Sequence, residues 1–529
     1  MRIPKTLLTL ALTLLPVVVA AADLSDLIRN GSREEALAAI RSAPDVNAAQ
    51  ADGSTPLLWA VHRVDHEMVK ELLRRGARPN VRNSLGATPL GEATSIADQD
   101  MVDSLLKAKA DPNLGNDDDQ TPLMIAARNG SLPIVKALVK AGAHVREREQ
   151  FRDQTALMWA IAANSPEVVD FLISQKADVE ERAAANDWGN QITSEPRAQY
   201  RNTGGLTPLL YATRFDCLGC VKSLLKAGAK IDRPTPEGVT PLMNAIDNGS
   251  YDIANYLLDQ GANPHLSDWW GRTALYLSVD MRTRGGGGGR GAPGRAAPAR
   301  VADGAARPRS GALDIMQRLL EMGVNPNTQL DMHRPFRGRF TDDLLNTGCT
   351  PLLRAAVSVD REAVELLLKH GALPDLPNVM GVTPLMAASG IGFLVGATSG
   401  GQGPIVGVDQ QEAYATAVID MLIKAGADVN ARITDTSSRT AVIARPSSMT
   451  NRQGQTALFG AVGNGDSVSR PQGRSWTHVA KFLIDHGARL DIKDDAGKTI
   501  LDALQGKAGG RDKPSSEEMV KLIKEALGS

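Results

Sequence analysis

Two cysteines, Cys217 and Cys220, form the clearest chemical motif of this sequence, a C-x-x-C pair. A pair at the start of a helix can carry out redox chemistry, because the helix N-terminus lowers the pKa of the thiol. No histidine follows the second cysteine, so the sequence does not indicate covalent haem attachment. The surrounding pattern also lacks the strand–helix–strand unit of redox enzymes. We therefore predict a structural pair, a possible disulfide outside the cytoplasm, over a catalytic one.

Metal-binding side chains occur at two places. His62 and His66 stand four residues apart, a spacing that would place two ligands on one face of a single helix. The repeat described below puts a turn between them, so we expect no shared face. The acidic run 117–119 could attract calcium, but a solvated acidic turn is the simpler interpretation. We predict no metal site and no cofactor.

Phosphate-binding loops are also poorly supported. Gly497-Lys498-Thr499 resembles the end of such a loop, but its first glycine should stand at position 492, which is Ile492. A glycine cluster from Gly390 to Gly403 does not lie between a strand and a helix, as a nucleotide-binding loop would. The sequence contains neither G-x-S-x-G nor H-E-x-x-H. We predict no catalytic residues, and hence a protein that is not an enzyme.

A recurring phrase organises almost the whole chain. Thr-Pro-Leu, or a close variant, begins eleven times, with a spacing of 33 residues, and 34 once, where no insertion intervenes; the positions are Thr55, Thr88, Thr121, Thr155, Thr207, Thr240, Thr273, Thr350, Thr383, Thr456 and Thr499. Two aliphatic residues before Gly-Ala follow 21 residues after the start of the first phrase, as in Leu72-Leu73 before Gly76-Ala77. An Asp-x-Asn turn comes next, as in Asp428-Val429-Asn430.

This pattern resembles the ankyrin repeat, and the resemblance covers nearly all of the chain after the N-terminal segment. It implies an all-α solenoid of helix–turn–helix units with projecting β-turn fingers. Thr suits the helix N-cap, Pro the first helical position, and Gly the left-handed residue after the second helix. We predict an N-terminal cap at 23–47, about eleven repeats over 48–506 and a polar capping helix at 514–528.

The sequence departs from the family at the residue after Thr-Pro-Leu, which is usually His. Leucine, methionine or another residue stands there, as in Leu58, Met124 and Met243. We therefore expect the hydrogen bonds of that histidine to be missing and apolar packing between repeats to replace them. Trp59 and Trp159, one residue further on, are predicted to pack as well.

Six insertions interrupt the array, near 182–202, 282–311, 328–346, 389–411, 433–449 and 465–475. Insertions in such repeats map to loops, often on the binding surface. The second is rich in glycine and arginine, and we interpret it as a flexible tether. An arginine–glycine segment for nucleic acid is the alternative, but the insertion lacks aromatics and net charge is only −1, so we predict no nucleic-acid partner.

The N-terminus is typical of a signal peptide. Arg2 and Lys5 precede an apolar run, and Ala20-Ala21-Ala22 offers a cleavage site before Asp23. We predict a signal peptide at 1–22 and a bacterial protein exported to the periplasm or secreted. No later segment is long and apolar enough to span a membrane. With three cysteines, the protein is no disulfide scaffold.

Aromatic residues mark the candidate partner-binding site. Trp269 and Trp270 lie at the variable tip of a finger, where no core is available, and Arg272 follows them. Trp188, Tyr200 and Phe215 come from the neighbouring insertion and first helix. Trp and Tyr are favoured as interface anchors. Packing of the tryptophans on an adjacent insertion is the alternative.

The ankyrin resemblance implies protein binding, so we predict a monomeric, non-catalytic scaffold that holds an unidentified protein partner on the concave face of fingers and first helices. Two alternatives stay open: a protein binding envelope glycan or a small molecule, and an enzyme with its site in the insertions. The identity of the partner does not follow from the sequence, because fold alone does not determine function.

Overall fold

The computed structural model describes residues 24–43, 45–185, 204–284, 310–331, 347–391, 410–434, 452–462, 476–505 and 517–528. The fold is all-α, as predicted: helices account for all the regular structure in these ranges. Two isolated antiparallel bridges, Ala185 with Gly204 and Ser267 with Thr273, are the only strand-like pairings there. The chain forms two compact units, Met1–Ala177 and Asp178–Ser529.

The described part of the N-terminal unit contains ten helices in consecutive pairs. They are α1 (Leu24–Asn30), α2 (Arg33–Ser42), α3 (Pro56–His62), α4 (His66–Arg74), α5 (Pro89–Ser95), α6 (Gln99–Lys107), α7 (Pro122–Arg128), α8 (Leu132–Lys140), α9 (Ala156–Ala162) and α10 (Pro166–Ser174). First helices pack on first helices and second helices on second helices, as α5 does on α7 and α6 on α8.

The C-terminal unit continues the same pattern over its described ranges. Its helices are α11 (Pro208–Arg214), α12 (Leu218–Lys226), α13 (Pro241–Asp247), α14 (Tyr251–Asp259), α15 (Ala274–Arg284), α16 (Ser310–Glu321), α17 (Pro351–Val357), α18 (Arg361–Lys369), α19 (Pro384–Ala388), α20 (Gln411–Lys424), α21 (Ala457–Val462), α22 (Thr477–Asp485), α23 (Ile500–Gln505) and α24 (Glu517–Leu527). Each of the eleven threonines precedes a first helix, and α1–α2 form the additional N-terminal pair.

Threonine starts most first helices by capping them. The Oγ1 of Thr88, for example, accepts a hydrogen bond from the N–H of Gly91 at 3.0 Å, and proline follows at the first helical position. This bond satisfies one of the N–H groups that a helix start leaves without a partner. Thr155 is an exception: its side chain makes no capping bond, and Ala156 replaces the proline.

Glycine ends several second helices in the left-handed conformation. Gly76 has φ +84° and Gly228 has φ +90°, a region that glycine enters without steric cost. In two repeats of the N-terminal unit a lysine stands there instead, with φ +68° at Lys109 and +67° at Lys176. These lysines keep the helix ending at the cost of some backbone strain.

Apolar side chains replace the family histidine and enter the core, as the sequence indicates. Leu58, Met124, Met243 and Phe459 are between 1% and 7% exposed. This packing joins successive first helices, such as α11 and α13.

Hydrogen bonds nevertheless connect the repeats, and they come from a residue that the sequence analysis treated only as part of a turn. The side-chain amide of Asn113 donates to the carbonyl of Gly142 at 3.1 Å, and its Oδ1 accepts from the N–H of His144 at 2.7 Å. Four other asparagines at the same place in their repeats make the same pair of bonds: Asn47, Asn80, Asn327 and Asn430. Apolar packing is therefore supplemented by a row of amide bridges, which we call the asparagine ladder.

The helix boundaries refine the predicted insertions and cap. Helices α15 and α16 extend two to three residues into the segment predicted as the 282–311 insertion. Helix α24 falls within the predicted 514–528 cap, but it is amphipathic rather than polar all round, since Met519 and Ile523 are buried. It packs on α22. The predicted signal peptide and most of each insertion lie outside the described residues.

Candidate functional site

The finger at residues 268–272 is held together from inside by a buried ion pair. Asp268 and Arg272 are each 4% exposed, and Arg272 Nη2 lies 2.6 Å from Asp268 Oδ2. Asp268 Oδ1 accepts hydrogen bonds from the N–H groups of Trp270 at 3.0 Å and Arg272 at 2.9 Å. Burial raises the pKa of the Asp268 carboxyl, and the contacts with Arg272 act in the opposite direction. The pair closes the turn and fixes its conformation.

Backbone bonds attach this finger to chain on either side. The N–H of Trp269 donates to the carbonyl of Glu237 at 3.0 Å, and the N–H of Asp331 donates to the carbonyl of Trp270 at 3.0 Å. Gly271 has φ +75°, and a Cβ there would lie 2.6 Å from the backbone nitrogen of Asp331. The fingers thus approach one another too closely for a side chain at this position.

The two tryptophans differ in their exposure. Trp269 is 59% exposed, whereas Trp270 is half-buried, with the guanidinium carbon of Arg272 at 5.1 Å from its ring centroid. Arg272, predicted to lie on the binding surface, is instead buried. Its side chain is buried because Asp268, four residues earlier, binds it within the turn. Arg272 therefore supports the finger and offers no free cation at the surface.

Of the other predicted members of the site, Phe215 alone lies within the described residues. Phe215 caps the end of α11 and is 41% exposed; its ring stacks on Tyr211 with the centroids 6.1 Å apart. Arg214 lies against the same ring. Trp188 and Tyr200 lie outside the described residues.

Cys217 and Cys220 are joined in a disulfide, with their Cα atoms 5.2 Å apart. Cys217 is the N-cap of α12, where its sulfur accepts from the N–H of Cys220 at 3.2 Å, and both side chains are fully buried. A buried pair of this kind cannot meet an external thiol without local opening of the chain. Cys349, the third cysteine, is buried and is not part of a disulfide.

A group of ion pairs in the C-terminal unit, buried except for the exposed Glu362, could not be predicted from the sequence. Arg354, with 0% exposure, lies 2.7 Å from Asp280, and Arg282 binds both Asp360, at 2.9 Å, and Glu362, at 2.5 Å. The partners are separated by 74 to 80 residues, so local spacing gave no signal. Because each arginine of the group binds a carboxylate, we interpret these ion pairs as structural contacts.

The side chains four residues after each repeat's threonine form what we call the first-helix row. In the described first helices of the first ten repeats they are Trp59, Glu92, Ile125, Trp159, Tyr211, Asn244, Leu277, Arg354, Ala387 and Gly460. The row is partly open at Trp59 and Glu92 in the N-terminal unit. It is buried at Leu277, Arg354 and Ala387 in the C-terminal unit.

His62 and His66 lie on separate helices, as the repeat predicts. His62 ends α3 and pairs with Glu92 at 2.7 Å, while His66 begins α4 and pairs with Asp98 at 3.0 Å. The described part of the chain holds no group of three or more side chains suited to a metal ion. Nor does any helix within it combine the length and apolar character needed to cross a bilayer.

The structure thus defines a helical-repeat protein of paired helices and projecting turns. Models of the ankyrin repeat family match it: "Ankyrin repeats (3 copies)" at 24–116, 93–183 and 189–268, and "Ankyrin repeat" at 347–379. These matches cover just over half of the 529 residues. The chain belongs to the ankyrin repeat family.

Known proteins resemble only parts of the chain. Phosphocholine transferase AnkX of Legionella pneumophila is 39% identical over 66 residues, 12% of this chain and 7% of that protein. Human mitochondrial disaggregase is 29% identical over 184 residues, 34% and 24% respectively. A putative ankyrin repeat protein of Rickettsia felis is 29% identical over 153 residues, 29% and 36%. The chain therefore spans about a third or less of the length of these relatives.

Among solved structures, the ankyrin repeat domain of Bcl-3 is similar, with 25% identity and a TM-score of 0.36. The similarity covers 43% of this chain and 94% of that domain.

Proposed function

We propose that this protein is a non-catalytic scaffold that holds a partner protein on the concave face of its fingers and first helices, with Trp269 as one anchor. Ankyrin repeats are generally protein–protein interaction modules. The observation that carries the proposal is the exposure of Trp269 on a finger fixed by a buried ion pair and by backbone bonds on both sides. A rigid aromatic side chain loses little conformational entropy on binding.

The absence of turnover is part of the proposal. One charged cluster in the described residues, around Arg354 and Asp360, is largely buried and paired internally. Its Arg and Asp side chains bind one another, and the exposed Glu362 binds Arg282. An enzymatic site in the insertions remains the competing hypothesis, and it predicts that a captured molecule is converted rather than held.

The test is affinity capture from the envelope fraction of the source organism, with wild-type and Trp269→Ala baits. Loss of an anchor residue costs about 2 kcal/mol or more, so we expect the variant to bind the partner roughly 30-fold more weakly. Phe151→Ala, at an exposed finger tip of the N-terminal unit, is the matched control and should retain the partner. Equal capture by Trp269→Ala would remove this finger from the site.

The wider alternatives have their own outcomes. If no protein is retained but wild-type chain binds an insoluble glycan of the envelope, the glycan-binding hypothesis replaces the scaffold.

We also propose that the protein is exported and that residues 1–22 are removed. Fractionation of the cells with N-terminal sequencing tests this, since an exported, processed chain would begin at Asp23.

A further inference from the structure

Two tryptophans occupy the same position of two repeats in the N-terminal unit but differ in their hydrogen bonding. Trp59 and Trp159 each stand four residues after the threonine of their repeat. The indole Nε1–H of Trp59 donates to the side-chain oxygen of Gln50 at 2.8 Å. Trp159 is only 9% exposed, and its indole N–H is covered without any hydrogen-bond acceptor in the described structure.

The different lengths of the two finger turns explain the difference. Gln50 closes its turn by donating its N–H to the carbonyl of Ser54, and Glu149 closes the corresponding turn with Gln154, one residue longer. In the longer turn both oxygens of Glu149 point inward, accepting from the N–H groups of Phe151 at 2.8 Å, Arg152 at 2.9 Å and Gln154 at 3.0 Å. Glu149, the residue equivalent to Gln50, thus accepts hydrogen bonds within its own turn and none from the indole of Trp159.

An arginine without an anionic partner lies beside the Trp159 indole. Arg128 is exposed, and its guanidinium carbon lies 5.1 Å from the centroid of the Trp159 ring. Among the described residues, Arg128 makes no hydrogen bond and no ion pair. Its one polar or ring interaction there is with the Trp159 ring. Over Trp59 the corresponding cation, Arg29, already pairs with Asp26 at 2.9 Å. Arg128 can therefore turn toward an anion without breaking a hydrogen bond.

We propose that Arg128 and Trp159 form a subsite for the carboxylate of an acidic residue in the partner. The guanidinium binds one carboxylate oxygen, and the indole N–H, once the side chains that cover it move aside, donates to the other. This inference rests on the proposed function, because the carboxylate belongs to the protein that the scaffold holds. A buried N–H without an acceptor is destabilising, and hydrogen bonds to a charged group are stronger than neutral ones, so both donors gain from the contact.

Charge favours a carboxylate over a phosphate at this place. A phosphate monoester carries a charge of about −1.5 to −2 at neutral pH, and a single guanidinium would leave much of it uncompensated. A carboxylate carries one negative charge, and its two oxygens match one arginine and one further donor.

The test is a titration of the full chain, labelled with 15N at tryptophan, with an oligoglutamate peptide. We expect the indole N–H signal of Trp159 to shift, and that of Trp59, already bonded to Gln50, to stay in place. Trp159→Phe assigns the signal. Arg128→Gln should weaken binding of the peptide about tenfold or more in calorimetry, because it removes the charge-assisted bonds. Since Arg128 is exposed, an unchanged urea midpoint checks that this variant still folds.

Three results would overturn the subsite: a Trp159 signal that stays in place at saturating peptide, equal affinity of Arg128→Gln, or an equal response to oligoglutamine of the same length. Preference for a phosphoserine peptide would reject the carboxylate and assign the site to phosphate. The Trp269→Ala variant should respond to oligoglutamate like the wild type. Failure of the finger site in the capture experiment is therefore separable from failure of this subsite.

Discussion

A single side-chain type accounts for the most regular polar contact between repeats. An asparagine amide presents a donor and an acceptor at once, so Asn113 satisfies both a carbonyl and an N–H of the following repeat. Carboxylates at the same position accept only: Asp232 binds the N–H of Asn263 at 3.0 Å, and Asp375 binds that of Asp428. The number of bonds at each junction therefore follows from one residue of the turn.

Replacing Asn113 by alanine should destabilise the protein by about 1–2 kcal/mol, because two exposed hydrogen bonds between repeats are lost. The urea midpoint of unfolding measures the effect. Asn113→Asp is the matched control: it retains the bond from His144 N–H and should lose about half as much. An Asn113→Ala midpoint equal to wild type would show that water replaces the ladder without cost.

At the residue scale, burial could be predicted for side chains at regular positions of the repeat, but not for side chains held by contacts within a turn. The burial of Met124 and Met243 followed from their place in the repeat. The burial of Arg272 did not, because the ion pair with Asp268 depends on the three-dimensional closure of the turn. The unbonded indole of Trp159 depends on one extra turn residue, which was visible as the single spacing of 34 but was given no consequence.

At the scale of the element, the first helices begin where threonine and proline specify. The Oγ1 of Thr121 accepts from the N–H of Met124 at 3.4 Å, and Pro122 takes the first helical position. Helix α9 begins after Thr155 without either feature, yet it has the same seven residues as α7. Packing against α7 and α10 therefore sets its boundaries together with local preference.

These two threonines allow an internal comparison. Thr121→Ala should lower stability by about 1 kcal/mol through loss of the N-cap, while Thr155→Ala should have a smaller effect because its side chain makes no capping bond. Midpoints of urea unfolding, read by circular dichroism, compare the variants. Equal losses would mean that these threonines act through packing of the methyl group instead.

The presence of the helices could be predicted, because the Thr-Pro-Leu phrase or its variant marks the start of a repeat at eleven positions. Helix length was less so where insertions intervene: α15 has 11 residues and α20 has 14, against seven and nine in regular repeats such as α7 and α8. Partners for the added turns come from residues distant in sequence, as Asp360 does for Arg282. A periodic pattern carries no information about such contacts.

At the scale of the whole molecule, we predict that α24 caps the array of repeats. Helix α24 covers the exposed side of α22 and buries Met519 and Ile523, while its other face carries charged residues. Terminal repeats need such a polar outer face for solubility.

Placing a charge at this contact should open the C-terminal end. For Ile523→Asp, we expect a loss of about 3 kcal/mol or more in the last repeats and increased binding of a hydrophobic dye, because an unpaired charge enters an apolar contact. Glu518→Lys, on the exposed face, is the control and should change neither quantity. An Ile523→Asp protein that binds no more dye than wild type would show that α24 does not close the array.

The asparagine ladder also has a mechanical consequence. Two bonds resist the sliding of one repeat past the next at Asn47, Asn80 and Asn113, whereas at Asp232 the side chain contributes one. Under a pulling force, we expect junctions with fewer bonds to separate first. The stiffness of each junction within a compact unit therefore depends on the residue at this one position of its turn. Exchanging Asp for Asn at these positions would tune stiffness without altering the surface that meets a partner.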